Sequence, residues 1–229
     1  MHERTHRNGN RGLLRRALNA ALAAIALCSS PVLAQQKVER RLPLGMDAAF
    51  RVVNMVGSVV VHGWEKDTLL VRGTLDAGDR LFVGGSYTGA KLFVEQANDR
   101  DPKPTRLEIW VPSRVRLWIK TATASIDVSE VAGGLDLYVV SGTIDVTGNP
   151  HELNAEAIDG DIHITGTPSW IRAKSAAGAI TFQGSSPDVG LSTVSGTIRV
   201  VGGTSAFERA KIETVTGNIS FAGDRKSVV

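Results

Sequence analysis

The chain has 229 residues, of which 42% are hydrophobic, and a formal net charge of +3. Without its first 34 residues, which hold five arginines and one glutamate, it keeps 21 basic against 22 acidic residues, a net charge of −1. This balance removes the electrostatic basis for a nucleic-acid partner. Its single cysteine, Cys28, lies in the same N-terminal stretch, so residues 35–229 can use neither thiolate catalysis nor a cysteine-type zinc site.

Residues 1–34 have the pattern of a secretory signal peptide. The five arginines lie in residues 1–16, a largely apolar stretch follows over 17–27, and SSPVLA precedes Gln35. This order predicts export with cleavage after Ala34, to the periplasm, the cell surface or the medium. An uncleaved anchor is the alternative, but the apolar stretch is short against the roughly 20 residues of a membrane span. Lipid attachment at Cys28 would require a small residue where Leu27 stands.

Residues 35–112 predict a less regular β segment. The runs TLLVRGTL, RLFVGG, AKLFVEQ and RLEIWVP are strand-like and are separated by turn-forming clusters. We expect hairpins here that cover one end or flank of the structure that follows. The earlier run NMVGSVVVHGW has the spacing of the later repeats, so it is interpreted as an early turn of the same structure or as its lid. One continuous β domain fits this boundary as well as two domains do.

Residues 113–229 repeat one phrase at a nearly fixed step. VSGTIDVTG, AIDGDIHITG, AAGAITFQG, VSGTIRVVG and VTGNISFAG follow one another, and their central glycines are separated by 18, 18, 18 and 21 residues. A fixed period near twenty residues is typical of architectures in which each unit stacks on its neighbour. The glycines are Gly142, Gly160, Gly178, Gly196 and Gly217.

Apolar residues fall in columns when the repeats are aligned on this glycine. Polar and variable residues separate these columns, and such alternation predicts strands with one buried face. Each unit is therefore predicted to contain two short strands joined by a turn at the glycine. The column two residues after the glycine, or after Ala124 in the first unit, is isoleucine every time: Ile126, Ile144, Ile162, Ile180, Ile198 and Ile219.

Two arrangements of these strands compete. In a β-solenoid the chain coils, and equivalent strands of successive turns pair in parallel about 4.8 Å apart. In a sandwich, consecutive strands would pair antiparallel through hairpins. The identical isoleucine column favours the β-solenoid, a parallel β-helix-like coil of about 18 residues per turn. Because glycine marks two corners rather than three, two sheets are expected. The sequence ends in DRKSVV directly after a regular repeat, which predicts either a truncated C-terminus or end-to-end self-association.

This pattern resembles the bacterial putative-adhesin family, exported proteins built from repeated S/T-G-x-I-x-V-x-G strand units and akin to head-GIN domains. The matching segments are the repeats above, VNMVGSVVVHGW, and LEIWVPSRVRLWIKTATASIDV. The resemblance extends over roughly Val38 to Gly223, and Ala124 and Glu130 depart from it where glycines are expected. It implies an envelope or secreted location and an adhesive or scaffolding role, and it supplies no catalytic residue. No cofactor is expected.

A charged column is the best candidate for a metal site. Three residues after the glycine position stand Asp127, Asp145 and His163 on successive repeats, and Asp159 and Asp161 lie at the adjoining turn. Stacked carboxylates about 5 Å apart repel by about 1 kcal/mol in water, and a hard cation would relieve that repulsion. A solvated charged face is the simpler interpretation.

Aromatic residues are the candidates for ligand binding. Trp118 and Tyr138 fall in outward positions on adjacent units, and Trp110 lies just upstream. Aromatic faces on a flat sheet suit sugar rings, although the same residues could pack beneath the N-terminal hairpins. Glu156 and Lys174 share one outward column and are expected to form a surface ion pair.

Three functions remain open. The first is a non-catalytic envelope protein that binds or scaffolds, with a cell-surface glycan or an envelope protein as partner. The second is a carbohydrate-active enzyme, a lyase or glycosidase, because coiled parallel β folds host such enzymes. The third is an envelope-stress or assembly component that acts through the open end of the coil.

Overall fold

A computed structural model describes residues 35–202 and 207–222. The predicted signal peptide with Cys28 and the final DRKSVV segment lie outside these residues. The described residues form strands and turns without a helix, and they belong to one compact unit that begins at Gln35. Within those two ranges there is accordingly no helix long and apolar enough to cross a bilayer. The fold class is all-β, as predicted.

The described part of the chain contains nineteen strands. They are β1 (Gln36–Pro43), β2 (Ala49–Asn54), β3 (Gly57–Trp64), β4 (Thr68–Leu75), β5 (Arg80–Ser86), β6 (Gly89–Glu95), β7 (Thr105–Pro112), β8 (Arg116–Thr121), β9 (Ser125–Ser129), β10 (Gly134–Val139), β11 (Ile144–Thr147), β12 (Glu152–Ala157), β13 (Ile162–Gly166), β14 (Trp170–Ser175), β15 (Ile180–Gly184), β16 (Asp188–Thr193), β17 (Ile198–Val201), β18 (Arg209–Thr214) and β19 (Ile219–Ala222).

The strands form two open, mixed sheets. Sheet A has the order β1-β4-β7-β3-β9-β11-β13-β15-β17-β19, and sheet B has the order β18-β16-β14-β12-β10-β8-β2-β6-β5. From β8 onward, consecutive strands alternate between the sheets, and each strand pairs in parallel with the next strand of its own sheet. Strands that are adjacent in sequence therefore lie in different sheets, and the antiparallel sandwich pairing is excluded for this region.

The isoleucine column forms a continuous row in sheet A. Each isoleucine is the register partner of the one in the next repeat, from Ile126 in β9 to Ile219 in β19. The first five are fully buried, whereas Ile219 is 40% exposed in the last described strand. A matching row in sheet B runs from Leu117 through Leu135 and Leu153. The apolar core lies between these rows, because each strand turns alternate side chains toward the other sheet.

The glycine corners bring backbone against backbone. A Cβ built on Gly178 would overlap the carbonyl oxygen of Gly160 in the preceding repeat, and a Cβ on Gly160 would overlap that of Gly142. The corner therefore requires glycine for the close approach of two chains rather than for an unusual φ angle. Buried hydroxyls support the same corners: Gly196 donates its N–H to Thr193 Oγ1 at 3.1 Å, and Gly178 donates to Ser175 Oγ at 2.9 Å.

Glu130 replaces glycine at the second corner of the first repeat. Later repeats have glycine there with positive φ, for example Gly166 and Gly184 at 142°. Glu130 adopts a φ of 58°, and it is the one non-glycine residue with positive φ in residues 35–202 and 207–222. The departure from the repeat pattern at this position is thus accommodated in the left-handed region, at a cost of about 1 kcal/mol.

The N-terminal segment extends both sheets. Strands β2 and β3 pair in parallel with β8 and β9, and Val59 lies opposite Ile126, so NMVGSVVVHGW continues the strand pairing of the later repeats. The four predicted strand runs correspond to β4, β5, β6 and β7. Only β5 and β6 among them form a hairpin, because β6 and β7 join different sheets and pair in parallel with β2 and β3. Strand β4 instead pairs antiparallel with β1 and β7.

The corner contact predicts a large penalty for adding one methyl group. We expect Gly178→Ala to lower the free energy of unfolding by about 3 kcal/mol, since the new Cβ meets backbone that cannot move independently. Gly84→Ala is the matched control, because a Cβ at Gly84 meets no atom within 4 Å. Urea unfolding followed by circular dichroism measures both. Equal stability of the two variants would contradict this account of the corner.

Candidate functional site

The acidic column lies on the outer face of sheet A. Asp127, Asp145 and His163 are register partners on β9, β11 and β13, so the predicted line is present in the strand pairing. Asp127 is exposed, and Asp161 at the turn accepts a hydrogen bond from the Ala179 N–H at 2.7 Å. Asp159 is exposed at the same turn.

The geometry adds no support to a metal site at these residues. Within the described ranges, no group of three or more His, Cys, Asp or Glu side chains is placed to hold a metal ion. The Asp161 carboxylate is bonded to a neighbouring backbone amide, and the choice between a metal site and a solvated charged face stays a prediction.

The three aromatic candidates divide between the two sheets. Trp110 belongs to β7 in sheet A, where its ring centroid lies 5.5 Å from that of His62 and 6.4 Å from that of Trp64. The Arg72 guanidinium lies 5.3 Å from the Trp110 ring. Trp118 and Tyr138 belong to sheet B, so Trp110 cannot share a ligand face with them. Proximity in sequence misplaces Trp110 because β7 and β8 lie in different sheets.

Trp118 and Tyr138 contact each other on the outer face of sheet B. Their ring centroids are 6.0 Å apart at an interplanar angle of 47°, and the Arg51 guanidinium lies 5.9 Å from the Trp118 ring. Asn154 on the next strand donates its side-chain N–H to the Tyr138 hydroxyl at 3.1 Å. Burial, reinforced by the nearby Asp136 and Glu156 carboxylates, raises the pKa of Tyr138 above its usual value. The hydroxyl is therefore a neutral, positioned group.

Glycine notches on the same face accommodate arginine side chains. Arg116 extends past Gly134 to place Nη2 at 3.2 Å from Glu152 Oε2, and Gly134 lies between Arg116 and Glu152 in the sheet. Arg172 lies over Gly190, where a Cβ would be 2.6 Å from Arg172 Cδ. These glycines have no positive φ, so they serve to admit a neighbouring side chain.

Asp188 joins two arginines. Arg172 Nη1 donates to Asp188 Oδ1 at 2.8 Å, and Arg209 Nη1 donates to Asp188 Oδ2 at 3.1 Å. The hydrogen bond from Arg172 lowers the pKa of the Asp188 carboxyl below its usual value. The Arg172 guanidinium also lies 4.6 Å from the ring of Trp170. The predicted pair of Glu156 and Lys174 is present nearby, with Nζ and Oε1 at 3.5 Å.

The arginines, their carboxylate partners and Trp170 line an open groove of about 650 Å³ on sheet B. The groove has apolar surface from the Trp170 ring and several charged or amide groups that are held in place by their partners. Such a combination can bind a polar ligand with flat apolar faces, because the aromatic ring packs against the ligand and the fixed polar groups orient it. The principal polar lining residues are Arg116, Asp136, Glu152, Asn154, Arg172 and Asp188.

Sequence reasoning missed Trp170, Arg116 and Arg172 as parts of this face. Trp170 and Arg172 occupy outward positions of the repeat, eight and six residues before Gly178, and the latter is the position that identified Trp118. Reading those two columns across all repeats would have placed them on the same face. The columns do not predict that Arg172 extends over Gly190, because this contact depends on side-chain packing.

The chain is similar to several solved structures. They include a putative cell adhesion protein from Clostridium sporogenes (9% identity, TM-score 0.47, 83% of this chain and 100% of that chain covered). A putative adhesin from Bacteroides fragilis has 11% identity, TM-score 0.46, and coverage of 84% and 99%. A putative lipid binding protein from Parabacteroides distasonis has 11% identity, TM-score 0.30, and coverage of 82% and 95%. No family model and no curated protein matches the chain.

The Asp188 cluster predicts a defined pH dependence. Because its pKa is lowered in the folded protein, the carboxylate stabilises the fold above its unfolded-state pKa, and this contribution is lost as the pH falls through the folded-state pKa. In Arg172→Met we expect the pKa of Asp188 to rise. The difference in stability from the unmodified protein should therefore be present at neutral pH and shrink in acid. Carboxyl-carbon NMR titration and urea unfolding measure these effects.

Two further variants test this prediction, one as a second perturbation of Arg172 and one as a control. Gly190→Ala should raise the pKa of Asp188 in the same direction, because the new Cβ displaces Arg172. Arg199→Met, at an exposed position on sheet A, is the matched control and should leave Asp188 unchanged. An unchanged pKa in Arg172→Met would show that this guanidinium does not set it.

Proposed function

We propose that this chain is an exported, non-catalytic binding protein of the adhesin type, and that the outer face of sheet B binds a cell-surface glycan. The groove of about 650 Å³ carries the proposal, since it places an aromatic ring among fixed polar groups on a sheet. The Trp118 and Tyr138 pair extends the aromatic surface beside it. Carbohydrate rings offer apolar faces and hydroxyl edges, which match these two kinds of surface.

We propose further that the repeat region is a two-sheeted β-solenoid. Three observations support this: the parallel pairing of equivalent strands, the alternation of consecutive strands between sheets, and the burial of the isoleucine row. A regular coil supplies a rigid face, and rigidity lowers the ordering cost of binding.

The polar groups of the sheet B face favour binding over catalysis. Asp188 is bonded to two arginines, Arg116 lies within ion-pair distance of two carboxylates, and Glu156 pairs with Lys174. Groups held in such pairs orient a ligand, whereas a general acid or base must exchange a proton with it. The names of the similar structures, which include adhesins, are consistent with this role.

A glycan array screened with the purified mature protein tests the proposal. For the best glycan, Trp118→Ala and Trp170→Ala should each weaken binding about tenfold, a loss of about 1.4 kcal/mol, because each removes an apolar platform beside the groove. Trp110→Ala is the matched control, since it removes a half-buried tryptophan from the opposite sheet and should leave the affinity unchanged.

Two results would overturn the proposal. Unchanged affinity in Trp118→Ala and Trp170→Ala, with a loss of binding only in Trp110→Ala, would place the ligand elsewhere than sheet B. Cleavage of a bound polysaccharide that disappears in Asp145→Asn and Asp161→Asn would make the chain an enzyme and would move the site to the acidic column.

A further inference from the structure

A row of exposed apolar side chains follows one corner of the repeats. The residue two positions before each corner glycine is apolar, and the four largest members of this row are 46%, 58%, 53% and 76% exposed in chain order. Single exposed apolar residues are ordinary, but a contiguous row marks an interaction surface. We call this set the apolar row: Ala122, Val140, Ile158, Ala176, Val194 and Val215.

The backbone of the apolar row is already paired from one repeat to the next. The Val140 carbonyl accepts the Asp159 N–H at 2.7 Å, the Ile158 carbonyl accepts the Ala177 N–H at 3.0 Å, and the Val194 carbonyl accepts the Thr216 N–H at 2.9 Å. The surface offered to a partner therefore consists of side chains on a fixed backbone.

A second row of side chains runs parallel to the apolar row on sheet B. It stands four positions before each corner glycine, two residues from the apolar row, and the register of successive strands aligns it. All members of the two rows except Ala122 border one open groove of about 1060 Å³. We call this set the charged row: Lys120, Tyr138, Glu156, Lys174, Ser192 and Glu213.

The charges of this row are complementary to those of a second copy that runs in the opposite direction. Its order of charges is plus, neutral, minus, plus, neutral, minus, and the reversed order places every plus opposite a minus. The facing pairs would be Lys120 with Glu213, Tyr138 with Ser192, and Glu156 with Lys174.

The side chains of the apolar row also fit those of an antiparallel second copy in size. Its largest side chain, isoleucine, meets its smallest, alanine, at the centre, and two valines meet on either side. The facing pairs would be Ile158 with Ala176, Val140 with Val194, and Ala122 with Val215.

We propose that two copies of this chain pair side by side and antiparallel through these two rows, as an isologous dimer. The two-fold axis would be perpendicular to the row direction and would pass between the repeats of Ile158 and Ala176. This operation keeps apolar row on apolar row and reverses the order of charges. A two-fold axis along the row direction would instead set the charged row over the apolar row, which leaves charges facing side chains that cannot pair with them.

The outer pair of charges allows a test that intrachain effects cannot imitate. Lys120 and Glu213 are separated by five strand spacings, about 24 Å, within one chain. Glu213 contacts Lys211 at 3.1 Å in its own chain, but both side chains are largely exposed, and such pairs contribute little. Rescue between positions 120 and 213 can therefore arise only across an interface.

Sedimentation equilibrium of the processed protein, expressed with its leader, measures the dimer. We expect a concentration-dependent dimer whose dissociation constant rises about tenfold at low salt in Lys120→Glu and in Glu213→Lys, since each change makes two symmetric pairs repulsive. The double variant should restore the original dissociation constant. An equimolar mixture of the two single variants should form a heterodimer, because opposite charges then face each other at both ends.

Matched controls carry the same changes in charge away from the rows. Arg199→Glu and Asp99→Lys are at exposed positions outside both rows and should dimerise like the unmodified protein, alone and mixed. A protein that is monomeric at every concentration overturns the proposal, as does a dimer whose double variant is not rescued. Binding of the apolar dye N-phenyl-1-naphthylamine by such a monomer, lost in Ile158→Glu, would assign the groove to a small apolar ligand instead. Glu156 and Lys174 line both grooves, so the two proposals share a border but fail separately: a monomer that still binds a glycan overturns the dimer alone.

Discussion

The contact between backbones at the glycine corners is the constraint on which the rest of the structure depends. Adjacent strands of a sheet lie about 4.8 Å apart, and the corner must keep that spacing while the chain changes sheets. At Gly160 and Gly178 the backbone of one repeat lies against the carbonyl of the preceding repeat, with no room for a Cβ. Glycine at this position therefore allows equivalent residues to become register partners.

Because the strands pair in register, residues at the same position of successive repeats form a row, either in the core or on the surface. Inside, this pairing produces the isoleucine row, which is buried from Ile126 to Ile198. Outside, the same operation gives the acidic column of sheet A, the aromatic and arginine groups of sheet B, and the apolar row at the corner. Because strands fix each row in place, long side chains can cross a notch at Gly134 or Gly190 and pair with a carboxylate two strands or one strand away.

Some of the candidate site could be predicted from the columns, and some could not. The partnership of Trp118 with Tyr138 and the ion pair of Glu156 with Lys174 both follow from their outward columns, since strand pairing aligns the repeats. Trp110 was grouped with Trp118 on the basis of distance along the chain. That grouping is wrong because the connection from β7 to β8 crosses from one sheet to the other.

The sequence by itself determined the strands of the repeats, their buried faces and the two corners. The period and the glycine spacing are local properties, and parallel strand pairing reproduces them from one repeat to the next. The sequence also determined which residues could share a row. Only the tertiary structure decided that β6 and β7 join the stack beyond β2 and β3, since the order of strands in a sheet depends on long-range pairing. The reach of Arg172 over Gly190 to Asp188, and the exposure of the apolar row, were decided there too, because both depend on how neighbouring strands pack.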